Sequence, residues 1–112
     1  MTGTVIEHRN DAITTARPHG RLDYLSASDF KEELLGAVEA GWPRLVVDLS
    51  AVEFVDSSGL GALIGGLKAA RAAGGDRRLA AVPEQARVVL SLTTLDRMFH
   101  SYASVEEAVA GN

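Results

Sequence analysis

Apolar positions along the chain alternate between two spacings, and the changes of spacing mark the elements. Thr4 to His8 and Ala12 to Arg17 are short segments carrying β-branched residues. Asn10-Asp11 between them suits a tight turn, so the chain is expected to open with a β-hairpin. Pro18 lacks a backbone donor, which places the second strand at an edge or ends it before Gly20. Phe30, Leu34, Leu35 and Val38 then recur at helical spacing behind Ser26 and Asp29, and Gly41 with Pro43 closes this first helix. Leu45-Val46-Val47-Asp48-Leu49 is a short apolar run bounded by Pro43 and Ser50 and reads as a buried central strand. Leu60, Leu63, Ile64 and Leu67 form the one-sided stripe of a second helix, which Gly74-Gly75 stops.

Further on, Leu79 to Val82 is expected as a strand, and Pro83 suits the first turn of a third helix carrying Val88, Val89, Leu92 and Leu95. Met98 to Tyr102 reads as a last short strand. Ser104 with Glu107 then forms a capping-box pattern before Val105, Ala108 and Val109, a short closing helix. The order β-β-α-β-α-β-α-β-α implies an α/β fold. It is a single mixed sheet with an antiparallel opening hairpin, largely parallel helix-linked strands and about four packed helices. No repeat or linker-like tract divides the 112 residues, and 46% of them are apolar, enough for one core; residues 1–112 are read as one domain.

Charge and composition narrow the function classes. Fifteen acidic residues against 11 basic ones give a net charge of −4, and no basic cluster exceeds Arg77-Arg78, which argues against direct nucleic-acid binding. The absence of cysteine removes disulfides, thiolate metal sites and cysteine nucleophiles, and fits a reducing cytosol. Met1 to Asn10 has no apolar core of the kind a signal peptide carries, and nowhere do about 18 apolar residues run together, so a cytoplasmic protein without membrane insertion is expected. His8, His19 and His100 are scattered without metal-ligand spacing and read as structural or exposed; no metal and no cofactor are expected. Glu32-Glu33 and Glu106-Glu107 lie on helices whose opposite faces are apolar, and read as solvated faces rather than acid/base pairs.

The segment that carries chemistry is Phe54-Val55-Asp56-Ser57-Ser58-Gly59-Leu60-Gly61, which places two hydroxyls at a helix start. Asp56 or Ser57 can serve as the N-cap, and the small residues that follow allow close approach to the backbone. Taken alone, this is a well-capped helix. A phosphate on Ser57 would add roughly 1.5 to 2 negative charges at the positive end of a helix dipole, where the fold tolerates them. Such a mark acts outward, adding charge and bulk where a partner would pack, with Asp56 adding repulsion. That describes a binding switch and no catalytic site.

Two enzyme patterns compete. Gly59 to Gly65 fits a loose dinucleotide fingerprint with Glu84 as the ribose-binding acid, but a strand should run directly into the first glycine, whereas ten residues, Ser50 to Gly59 inclusive, intervene after Leu49. A serine-hydrolase elbow wants glycine two residues before its nucleophile, where Val55 precedes Ser57 and Asp56 precedes Ser58.

Four stretches together resemble the STAS domain of bacterial anti-sigma factor antagonists, proteins of the sporulation and general-stress partner-switching systems. They are Gly20-Arg21-Leu22-Asp23; Leu45 to Ser50; the Phe54 to Gly61 segment; and Leu95-Asp96-Arg97-Met98-Phe99 with Ser104 to Ala108. The resemblance covers about residues 4 to 110. It implies an anti-anti-sigma factor whose Ser57 is phosphorylated by an anti-sigma factor that is also a serine/threonine kinase. The unmodified form sequesters that kinase and frees the sigma factor; phosphorylation releases the complex, and a metal-dependent serine phosphatase of the PP2C type resets it. The resemblance implies a partner-binding surface of Asp23, Asp56, Ser57, Ser58, Gly59 and Leu60, with Asp23 near Ser57 and Ser58 the lesser acceptor. The second strand, with Thr14, Thr15, Pro18 and His19, is more polar than is usual in that family, and Thr94 stands where a glycine commonly ends the third helix. The competing reading within the same fold is an unphosphorylated adaptor, such as an accessory subunit of a transporter or a signalling scaffold; the intact Asp56-Ser57 pair favours the switch.

Overall fold

The computed structural model describes residues 3–8, 13–42, 44–75, 77–91 and 100–110. Strands β1 (Gly3–His8) and β2 (Ile13–Leu22) pair antiparallel as the expected hairpin, and helix α1 (Ala27–Glu39) follows. Next come β3 (Arg44–Asp48), β4 (Val52–Val55), α2 (Ser57–Ala72), β5 (Arg77–Ala80), α3 (Glu84–Ser91), β6 (His100–Tyr102) and α4 (Val105–Ala110). The sheet runs β1-β2-β3-β5-β6, with β4 pairing β2; β1 is antiparallel to β2, and the remaining pairings are parallel. The Asn10-Asp11 turn, Leu92, Thr94 and Leu95 lie outside the described residues.

Two features depart from expectation, and one geometry explains both. β2 is neither an edge strand nor broken at Pro18; it is ten residues long and interior. Residues 13–16 pair with β3, residues 20–22 pair with β4, and Pro18 falls between the two sets, where no parallel partner needs its missing N–H. β4 is the strand that sequence reading left out. It resumes the path of β3 along β2 after a turn in which Val52 N–H donates to Leu49 O at 3.1 Å, and it is too short and too interrupted by Glu53 to signal itself. The hand-over needs a kink in β2, which Gly20 supplies at φ 75° beside a register shift.

β3 reads as a continuous apolar run because both faces of the sheet are covered there. Leu45 and Val47 join the main core beneath α1 and α2, while Val46 joins Ile13, Ala80 and Ala108 on the α4 side. Leu34, Leu63 and Leu67 fill the main core and are all but inaccessible; each contributes on the order of 1.5–3 kcal/mol through burial. Trp42 packs on the same core and stacks on His8, with ring centroids 4.3 Å apart, and His8 Nδ1 lies 2.9 Å from Thr14 Oγ1. In α3 the buried positions are Ala86 and Leu90, and Val88 is exposed, because the short helix leans on β4 along one narrow stripe. Ser26 precedes α1 without capping it: its Oγ donates to Arg21 O at 2.8 Å, which ties the loop rather than the helix.

Helices α1 and α2 approach closely over Gly66, where an added Cβ would sit 2.8 Å from Leu34 Cβ and nearer still to Leu34 Cδ1. Gly66→Ala is therefore expected to destabilise by about 1–3 kcal/mol through overpacking. Gly36→Ala, on the open face of α1 with nothing within 4 Å, is expected to stabilise by roughly 0.5–1 kcal/mol. Urea unfolding of the two variants measures both, and equal midpoints would contradict the packing described.

Candidate functional site

The Asp56 to Leu60 segment sits where β4 hands the chain to α2, and only Asp56 separates strand from helix. The pairing of Leu22 with Val55 brings the end of β2 alongside, so Asp56 N–H donates to Leu22 O at 3.2 Å. Gly59 then packs its Cα against that same carbonyl. A Cβ there would fall on Leu22 O, so only glycine fits.

Asp56, in extended conformation, is the N-cap of α2, which settles the choice between Asp56 and Ser57. Its Oδ1 accepts from Gly59 N–H at 2.8 Å, and its Oδ2 accepts from Tyr24 N–H at 3.1 Å. One carboxylate thus closes the helix start and holds the β2–α1 turn against it. Ser57 is left as the first helical residue with no capping duty; it is exposed, and its hydroxyl makes no hydrogen bond among the described residues. Ser58 beside it is exposed as well.

Asp23 lies one residue from the Asp56 contact but turns inward. It is buried, its Oδ1 accepts from Leu25 N–H at 3.1 Å, and its Oδ2 takes the Arg21 guanidinium at 3.3 Å. Arg21 also lies over the Phe54 ring, 4.4 Å from its centroid. The structure therefore brings the Asp23 turn to the serine segment through the backbone of Tyr24, and the Asp23 carboxylate itself shapes that turn. Gly59 and Leu60 are buried, so they support the surface from below instead of lining it. Sequence reading passed over Tyr24 and Leu25, both exposed on this face; apolar residues at turn positions carry no periodic signal. Gln85 was also missed. Its side chain pairs with both Val55 N–H and Val55 O at 2.9 Å, satisfying the outer edge of β4 as a strand would.

The enzyme alternatives meet this geometry directly. β4 does run to within one residue of α2, which removes the spacing argument against a dinucleotide loop. Yet the glycines lie inside the helix, where Gly59 N–H is already bonded and Gly65 faces Lys31, so they form no phosphate cradle. Among the described residues no group of three or more His, Cys, Asp or Glu is placed to hold a metal ion, and no helix is long and apolar enough to cross a membrane.

A profile of the STAS domain matches residues 5–108. The chain belongs to the STAS domain family. It is 32% identical over 100 residues to a candidate anti-sigma factor antagonist of Thermotoga maritima, spanning 88% of both proteins. A crystal structure of a candidate anti-sigma factor antagonist from that organism matches with a TM-score of 0.89 at 29% identity, over 96% of this chain and 92% of the other. The antagonist SpoIIAA shares the fold at lower identity. Its unphosphorylated form matches at TM-score 0.76 and 19% identity, over 96% of this chain and 94% of that one. The phosphorylated form from Bacillus matches at 0.77 and 22%, over 96% and 97%.

The double use of the Asp56 carboxylate makes a prediction for this STAS domain. Asp56→Ala loses both bonds and is expected to cost roughly 1–2 kcal/mol. Asp56→Asn keeps an acceptor for Gly59 N–H but turns an amide NH2 toward Tyr24 N–H, so it is expected to cost less while freeing the turn. Hydrogen exchange at Tyr24 should then rise in both variants, and exchange at Gly59 only in Asp56→Ala. Protection at Tyr24 that survives both substitutions would disprove the clamp.

Proposed function

We propose that this STAS domain is an anti-anti-sigma factor that switches on phosphorylation of Ser57. The observation that carries the reading is a solvent-exposed serine hydroxyl with no structural duty. It stands at the first turn of a helix whose cap and rear packing are supplied by Asp56 and Gly59. The relatives named as anti-sigma factor antagonists support an anti-sigma factor as the kind of partner; in this reading that partner is also a serine/threonine kinase, bound by the unmodified chain so that the sigma factor goes free.

In the proposed cycle, Ser57 Oγ attacks the γ-phosphorus of ATP held by the kinase, ADP leaves, and the hydroxyl proton passes to a base of the kinase. The product carries roughly 1.5 to 2 negative charges beside the Asp56 carboxylate. Within the chain the free N–H groups of the first turn and the helix dipole moderate that charge. At an interface it is an added, desolvated anion, and the complex dissociates. A PP2C-type serine phosphatase restores the hydroxyl by adding water to phosphorus and releasing inorganic phosphate. This chain supplies the acceptor and the docking face, and the catalytic groups belong to its partners.

Ser57→Ala is expected to keep kinase binding and abolish phosphorylation, while Ser57→Asp weakens binding about tenfold or more through added charge. Titration calorimetry against the kinase and phosphopeptide mass spectrometry over residues 45–67 read the two effects. Equal affinity of both variants, or a segment that stays unphosphorylated across growth and stress conditions, would favour the adaptor.

A further inference from the structure

Four large apolar side chains stand exposed among the described residues, and two of them are neighbours. Tyr24 is 72% exposed and Leu25 77%, against 43% for Val5 and 49% for Val88. An exposed leucine alone is ordinary. Here the backbone that presents the pair is fixed from three sides: Tyr24 N–H bonds to Asp56, Leu25 N–H to Asp23, and Ser26 Oγ to Arg21 O. Such a turn has no freedom to fold the two side chains inward, and holding them in water gains nothing for the isolated chain.

The position of the pair supplies the reason. Tyr24 N–H and Gly59 N–H share one carboxylate, so the turn and the start of α2 form a single rigid surface with Ser57 on it. A protein docking over Ser57 meets this turn beside it, since Tyr24 is bonded to the residue that precedes Ser57. We infer that Tyr24 and Leu25 are the apolar anchor by which the kinase holds this chain, an inference that rests on the switch reading above. The occupant it implies is a kinase surface with an apolar pocket for Leu25 and the Tyr24 ring, rimmed by cationic groups facing the Asp56 carboxylate that joins the turn to α2. A phosphate on Ser57 then introduces a charge at the margin of a desolvated apolar contact, which makes release steep.

The test is calorimetric titration of Tyr24→Ala, Leu25→Ser and the double variant against the purified serine kinase that phosphorylates Ser57. ADP is kept bound so that no phosphoryl transfer occurs. Loss of an anchor of this kind is expected to weaken binding roughly thirtyfold for at least one single variant, and more for the double. Thermal midpoints should be unchanged, because neither side chain packs in the core. Undiminished affinity of the double variant, with Ser57→Asp still weakened, overturns the anchor and leaves the switch standing. Absence of binding by the unsubstituted chain overturns both. A dimer in sedimentation that the double variant dissolves, with kinase affinity unchanged, assigns the patch to a second copy and likewise overturns the anchor.

Discussion

The contact between the Gly59 Cα and the Leu22 carbonyl is the constraint on which the rest of the site depends. It brings the first turn of α2 to the end of β2 more closely than any side chain would permit. With α2 seated there, Asp56 spans from its own helix to the Tyr24 backbone, and β4 is held in register with β2 from Gly20 to Leu22. Replacing Gly59 with alanine would drive a methyl group into a backbone oxygen that cannot rotate away. Overpacking typically costs about 1–3 kcal/mol, and a clash with backbone belongs at the top of that range or above. Behind the contact, Leu60, Leu63 and Leu67 bury the inner stripe of α2, so the helix has no room to rise and relieve it.

The proposed switch, built on such a seat, separates two jobs that one residue often shares. Serine at a helix start commonly caps it, and phosphorylating a cap would remove a bond on which the helix depends. Here Asp56 does the capping and Ser57 stands exposed; under the proposed function, a phosphate on Ser57 would be felt by whatever docks on the surface and not by the helix. Asp23, which the family resemblance marks, works one layer down. Its carboxylate is consumed in folding the Tyr24-Leu25 turn, and the turn in turn supplies the apolar part of the proposed docking face.

Much of the fold was legible because its signals are local. The helical spacing of Phe30 with Leu34, and of Leu60, Leu63 and Leu67, records faces that bury whatever the surrounding topology. The apolar run at Leu45 to Leu49 likewise reports a strand covered on both sides. Val88 was misplaced because a narrow stripe on an eight-residue helix leaves neighbouring valines with opposite fates. Pro18 misled because the rule that proline belongs at edges concerns ladder donors, and this strand changes partners at the residue where a donor is missing.

By itself the sequence determined the alternation of strands and helices, the capped serine segment at Asp56-Ser57-Ser58 and its family. Each of these is carried by residues within a few positions of one another. Only the tertiary structure decided that β4 exists and lies on β2, that Asp56 caps while Ser57 stands free, and that Asp23 turns inward as Tyr24 and Leu25 turn out. The Asp56 cap and the Asp23 turn are closed by bonds only two or three residues long, but the placement of β4 and the joining of the Tyr24 turn to α2 rest on hydrogen bonds between residues some thirty positions apart, such as Tyr24 with Asp56 and Val55 with Gln85. Local patterning cannot encode which distant carbonyl or carboxylate a backbone N–H will meet; that is fixed when the sheet and helices pack.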